Sequence, residues 1–137
     1  MRLPQEEART RLAAARVARL ATVDEQGRPH LVPVTFAVRG DVAVTAVDHK
    51  PKTSRDLKRL RNIEANPLVS LLADDYAEDW TQLWWVRADG AATILRDPAD
   101  MAGPLELLTA KYPQYQGRTP AGPVIRIDIG VLTGWHG

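Results

Sequence analysis

The chain has 137 residues, 45% of them hydrophobic and 26% charged. That supports one soluble domain over residues 1–137, and no stretch approaches the roughly 20 consecutive apolar residues that span a bilayer. Eighteen basic against seventeen acidic side chains leave a net charge of +1, too balanced for a chain whose main partner is nucleic acid. The lack of cysteine excludes disulfides, thiolate metal sites and a cysteine nucleophile; with a charged N-terminal stretch unlike a signal peptide, the expected location is cytoplasmic.

Residues 5–17 carry Ala, Leu, Glu and Arg, with Ala8, Leu12 and Ala15 on one face, which predicts a helix with Pro4 at its start. Residues 19–23 are β-prone, and Asp24-Glu25-Gln26-Gly27-Arg28 is a polar turn leading to a second strand that Pro29 opens. That strand, residues 30–38, turns at Arg39-Gly40-Asp41 into a third over residues 42–47, so the three are expected to form an antiparallel meander. Pro33 cannot donate to a ladder and belongs at an edge, a bulge or a place where backbone faces a ligand.

A helix follows the loop after the third strand. Thr53 or Ser54 is its expected cap, Asp56 the acid of its first turn, and Leu57, Leu60 and Ile63 its apolar side. Asn66-Pro67 ends it. Residues 68–72 read as a fourth strand, residues 74–79 as an acidic loop, and residues 81–95 as a long fifth strand that must bend at Gly90. Asp97-Pro98-Ala99-Asp100 starts a further helix reaching about Tyr112, and residues 123–129 alternate, with Ile125, Ile127 and Ile129 on one face. The expected fold is mainly β with peripheral helices, a small barrel of six strands with helices outside it.

The most informative stretch is Lys50-Pro51-Lys52-Thr53-Ser54-Arg55. It gathers three cations where a helix begins, an end that is already positive and rich in free N–H groups, so an anionic ligand is expected among them. His30, His49 and His136 have neither the spacing nor the carboxylate company of a metal site, and no metal is expected. There is no Ser/His/Asp pattern, no Gly-rich phosphate loop and no dinucleotide fingerprint. Trp80, Trp84 and Trp85 bunch at the start of the long strand, where adjacent Trp84 and Trp85 must point to opposite faces.

Gly27-Arg28-Pro29-His30-Leu31-Val32-Pro33-Val34-Thr35-Phe36, then Val44-Thr45-Ala46, then Lys50-Pro51-Lys52-Thr53-Ser54-Arg55-Asp56-Leu57, closing with Asn66-Pro67-Leu68-Val69-Ser70-Leu71-Leu72, resembles the pyridoxamine 5′-phosphate oxidase-like split β-barrel superfamily. The order resembles most its branch that uses the deazaflavin coenzyme F(420). The resemblance implies a six-stranded split barrel, a homodimer, and a cofactor cleft at each end of the dimer interface. It places Lys50 and Lys52 on the cofactor phosphate, with Thr53 and Ser54 as donors to it. Pro33, Val34 and Thr35 of the second strand, and Thr45, Ala46 and Val47 of the third, would lie along the ring system, and Trp85 would face the cofactor or the partner.

FMN-using oxidases of the superfamily carry an Arg, a short apolar run and a Lys on the strand that meets the flavin. This chain has His30-Leu31-Val32-Pro33-Val34-Thr35-Phe36 there, so the resemblance favours F(420), with FMN as the alternative cofactor. Arg55, Lys58 and Arg59 extend the cationic surface towards the longer F(420) tail. The implied activity is F(420)-dependent oxidoreduction, with hydride passing between reduced deazaflavin and a small organic substrate. The alternative is a non-catalytic split barrel that binds, carries or senses F(420), FMN or a haem-like ligand. No catalytic residue is assigned; Arg87, His30 and Tyr76 are the side chains considered as proton donors. No nucleic acid or membrane partner is expected.

Overall fold

Strict alternation builds the strands. In β1 (Ala18–Val23) Ala18, Leu20 and Thr22 are buried, and in β5 (Leu68–Asp75) Val69, Leu71 and Ala73 are buried, the period of two that puts one face of a strand on a core. A computed structural model describes residues 1–48 and 57–137. The remaining strands are β2 (Pro29–Val34), β3 (Ala37–Arg39), β4 (Val42–Ala46), β6 (Trp84–Leu95) and β7 (Val124–His136), and the helices are α1 (Gln5–Ala14), α2 (Lys58–Ala65), α3 (Pro98–Lys111) and the short α4 (Gln114–Gly117).

The strands form one seven-stranded sheet in the order β2-β1-β5-β6-β7-β4-β3, antiparallel at every pairing. The strand count is therefore seven where the sequence predicts six. The physical reason is the run over residues 30–38: it is broken at Thr35-Phe36, so that β2 pairs with β1 and β3 with β4. Two hairpins replace the expected three-stranded meander. Because β2 and β3 stand at opposite ends of the sheet order yet follow each other in the chain, the sheet must roll until its two edges meet. Pro33 falls on the terminal strand β2 opposite Arg19, the edge position where its missing N–H is tolerated.

Other boundaries differ as well. α1 stops at Ala14 rather than at residue 17, since Ala15 is already extended. β5 runs on through Asp74 and Asp75, paired with Trp85 and Trp84. β6 begins only at Trp84, after a 3-10 turn at Trp80–Gln82 that Asp79 caps through the Thr81 N–H. β7 extends to His136, paired with β6 along its length. α2 begins at Lys58 with Leu57 at its cap position and no acid in its first turn; the expected caps Thr53 and Ser54, and Asp56, lie outside the described residues. α3 has the start its sequence announces, with the Asp97 carboxylate accepting from the Ala99 N–H at 2.9 Å and Pro98 in the first turn.

The expected bend at Gly90 is a register shift between Asp89 and Gly90, where Val131 faces Asp89 and Ile129 faces Gly90, leaving Gly130 as the extra residue. The bulge changes the phase of β7. Ile125 and Ile127 are buried on one side of it, Leu132 and Gly134 on the other, so Trp135 is turned outward. A side chain at Gly90 would run into the carbonyl oxygen of Asp128. Two cores result. One fills the barrel around Leu20, Phe36, Leu71 and Ile127 with Leu12 of α1 and Leu60 of α2, and the other lies between α3–α4 and the β3/β4/β7 side, around Leu108, Tyr112 and Val124.

Gly90→Val should destabilise the protein by about 1–3 kcal/mol, because backbone must shift to admit the new side chain. Gly103→Ala, in the middle of α3 with open space around its Cβ, should be neutral or add up to about 1 kcal/mol. Urea denaturation of the two variants checks both.

Candidate functional site

The junction between β2 and β3 shapes the site. Phe36 is fully buried and outside any strand, so its backbone groups need partners other than a ladder. The Tyr112 hydroxyl supplies them: it accepts from the Phe36 N–H at 3.1 Å and lies 3.0 Å from the carbonyl oxygens of both Phe36 and Arg16. Lys111 Nζ donates to the Phe36 and Ala15 carbonyls at 2.8 and 2.7 Å and sits 4.0 Å over the Phe36 ring. Burial, and then the positive charge of Arg16, hold the Lys111 ammonium down to about 8, while burial is the main cause that pushes the Tyr112 phenol up.

On the open side of this junction a cleft of about 190 Å³ is lined by Pro33, Val34, Thr35, Thr45, Ala46, Asp48, Arg59 and Tyr115. β2 and β4 provide its two strand walls, α2 gives Arg59 and α4 gives Tyr115. The Thr45 hydroxyl donates to the Thr35 carbonyl at 2.7 Å, and the Thr35 and Tyr115 hydroxyls are 2.6 Å apart. No described residue pairs with the Arg59 guanidinium, and burial lowers its pKa from the ordinary value without removing its charge. A half-buried cation is costly unless an anion joins it, and Asp48 lines the same cleft.

Of the residues expected at the site, Pro33, Val34, Thr35 and Ala46 thus share one cleft. Val47 is buried in the barrel core just beyond it, its N–H bonded to the Pro123 carbonyl at 2.9 Å. Lys50, Lys52, Thr53 and Ser54 lie outside the described residues. Trp85 stands opposite Trp135 and Asp74, with Arg87 over its ring. It does not line this cleft, which in one chain is bounded by β2, β4, α2 and α4. Trp84, on the other face, packs against the barrel core under Arg11.

The considered proton donors are also elsewhere. Arg87 is bonded to Asp89 at 3.0 Å, Tyr76 is exposed beyond β5, and His30 lies opposite Thr22 with a buried Nδ1 that has no partner among the described residues. Tyr115 is, with Asp48, a cleft residue the sequence reading passed over. Its signal was the Tyr112/Tyr115 pair, three residues apart after a helix, which the structure shows edge-to-face at 5.6 Å. At about 190 Å³ the cleft is smaller than the roughly 300–1,000 Å³ of a typical small-molecule site, room for only part of a ligand of that size.

The model of the family described as pyridoxamine 5′-phosphate oxidase matches residues 4–136. The chain belongs to the pyridoxamine 5′-phosphate oxidase family. Its mainly β sheet with peripheral helices is the split-barrel fold of that family. Solved structures agree. A FAD-binding protein from Mesorhizobium loti is 23% identical with a TM-score of 0.74, covering 98% of this chain and 95% of that one. The FAD binding protein from Mycobacterium smegmatis is 22% identical with a TM-score of 0.68, covering 98% and 96%. HutZ, the haem storage protein from Vibrio cholerae, is 22% identical with a TM-score of 0.70, covering 96% and 94%. These identities establish shared fold. No curated protein matches the sequence. Within the pyridoxamine 5′-phosphate oxidase family fold, no helix among the described residues is long and apolar enough to cross a membrane.

The lowered Lys111 value has a definite pH consequence. The folded chain gives up this proton near pH 8, the unfolded chain near the ordinary lysine value of 10.5, so the unfolded state binds more protons in between and stability rises with pH over that window. Comparing wild type with Lys111→Met in urea from pH 7 to 9.5, wild type should gain stability relative to the variant as pH rises. A flat difference would show an unperturbed ammonium.

Proposed function

We propose that the protein binds a flavin-type cofactor in the cleft between β2 and β4, F(420) in preference to FMN, and uses it to reduce a small organic substrate. The observation that carries this is the cleft's make-up: apolar strand walls from Pro33, Val34 and Ala46, hydroxyl donors on one side and, on the other, Arg59, which has no ion-pair or hydrogen-bond partner among the described residues. Flat apolar walls with a few fixed donors suit a planar heterocycle, and a half-buried cation suits its phosphate or acidic tail. Two of the solved structures of this fold are named as FAD-binding proteins, which supports the flavin class. The absence of a lysine from residues 30–36 supports the deazaflavin within it.

When bound, F(420) supplies the hydride. The chain's own residues would orient and enclose: the strand walls would fix the ring plane, Arg59 with Lys50 and Lys52 would neutralise the anionic part, and the barrel end would exclude water from one face. A second reading, storage or carriage without turnover, is supported by the haem storage protein of the same fold.

Fluorescence or absorbance titration with F(420), FMN and haem tests the proposal. F(420) should bind most tightly, and equal or tighter FMN affinity would overturn the preference. Arg59→Met and Lys52→Ala should each weaken F(420) binding about ten- to a hundredfold, the loss of a charge-assisted contact of roughly 1.5–3 kcal/mol. Lys58→Ala should cost less than about 1 kcal/mol, since Lys58 is exposed and turned to Asp24 at 3.8 Å. Substrate-dependent reoxidation of reduced F(420) separates reductase from carrier.

A homodimer is part of the same proposal. The outer sheet face carries Leu31 at 65%, Leu68 at 64%, Val131 at 58% and Trp135 at 40% exposure, beside an open apolar groove along β1, β5 and β6. Paired strands place Leu31, Ala21, Ser70, Asp89 and Val131 in one row, apolar at both ends around the hydrogen-bonded Ser70 and Asp89, and exposed large apolar side chains on one sheet face suit an interface. Light scattering at micromolar concentration should give a dimeric mass, and Leu68→Glu should shift it towards monomer.

A further inference from the structure

We infer that the Tyr115–Thr35 hydroxyl pair is a hydrogen-bond donor aimed at a carbonyl oxygen on the edge of the bound ring, and so selects a lactam-bearing heterocycle over a ring without one. This rests on the cofactor reading above and deepens it. Two hydroxyls 2.6 Å apart hold two protons, and the bond between them uses one. Whichever group accepts keeps its own proton, and neither hydroxyl has another partner among the described residues. Both line the cleft, and Tyr115 is only 8% exposed. A hydroxyl proton so placed is satisfied by an acceptor that enters the cleft.

The support is rigid. Tyr115 packs edge-to-face on Tyr112, whose hydroxyl is fixed by both backbone groups of Phe36, and the Tyr115 N–H is bonded to the Tyr112 carbonyl at 3.0 Å. Thr35 is held in turn by its carbonyl, which accepts from Thr45. A donor whose orientation is set before the ligand arrives loses little freedom on binding. With Arg59 on another wall, the cleft reads two features of one molecule: negative charge and a carbonyl edge. Flavins and deazaflavins present both; the haem macrocycle offers carboxylates but no ring carbonyl.

The test is titration of wild type, Tyr115→Phe, Thr35→Val and the double variant with F(420), FMN and haem, recording dissociation constants and the visible absorption band of the bound deazaflavin. Each single variant should weaken F(420) binding about three- to tenfold. The double variant should be little worse than Tyr115→Phe, because the two act as one unit. The band shift on binding should shrink in all three, with haem affinity unchanged. Leu12→Ala, in the barrel core under α1 and away from the cleft, is the control for structure alone, lowering the melting temperature while leaving the band position in place. Unchanged F(420) affinity and band position in Tyr115→Phe and Thr35→Val would overturn the inference and leave the cofactor reading standing. Failure of wild type to bind either F(420) or FMN would overturn both.

Discussion

Satisfying the backbone at Thr35-Phe36 is the constraint on which the architecture turns. The chain leaves the ladder of β2 there and joins that of β3 two residues later, which lets one run of residues serve both edges of the sheet. Left alone, the buried Phe36 N–H and C=O would each cost about 1–3 kcal/mol. The Tyr112 hydroxyl meets both groups from one direction, much as a neighbouring strand would, and Lys111 adds a second donor to the carbonyl. The helical segment after β6 is therefore part of the barrel's closure.

The two half-buried cations near this point differ in how their charge is met. Lys111 is saturated by carbonyls and ring faces, so its ammonium serves the fold, and the cost of burial shows as a lowered pKa. Arg59 has no such company among the described residues. The contrast separates a cation fully engaged by the fold from one with no partner among the described residues.

Much of this was legible in the residues. Alternation located the strands, the periodic Leu57, Leu60 and Ile63 located the buried face of α2, and Pro33 announced an edge. The family's motif order brought Pro33, Val34, Thr35 and Ala46 together before any geometry was known. The break inside residues 30–38 was not legible, because it depends on tyrosine and lysine side chains some 75 residues away rather than on local propensity, and Thr35-Phe36 is as β-prone as its neighbours. The long final strand was missed for a related reason. A bulge at Gly130 reverses its alternation, so a period-two reading stops there. Tyr115 went unseen because α4 is a single turn with no pattern of its own.

The cleft lies on the seam between the two cores. Val34 belongs to the barrel core, while Ala46 and Tyr115 belong to the smaller one under α3 and α4. Cooperative units of unequal size open at unequal free energies, and the smaller cluster is the one that α3 and α4 close over β4. Amide hydrogen exchange in α3 and α4 would then proceed through a sub-global opening that leaves β1, β5 and β6 protected. A ligand bridging the seam would slow that exchange in particular, making occupancy of the cleft a latch on the helical cap.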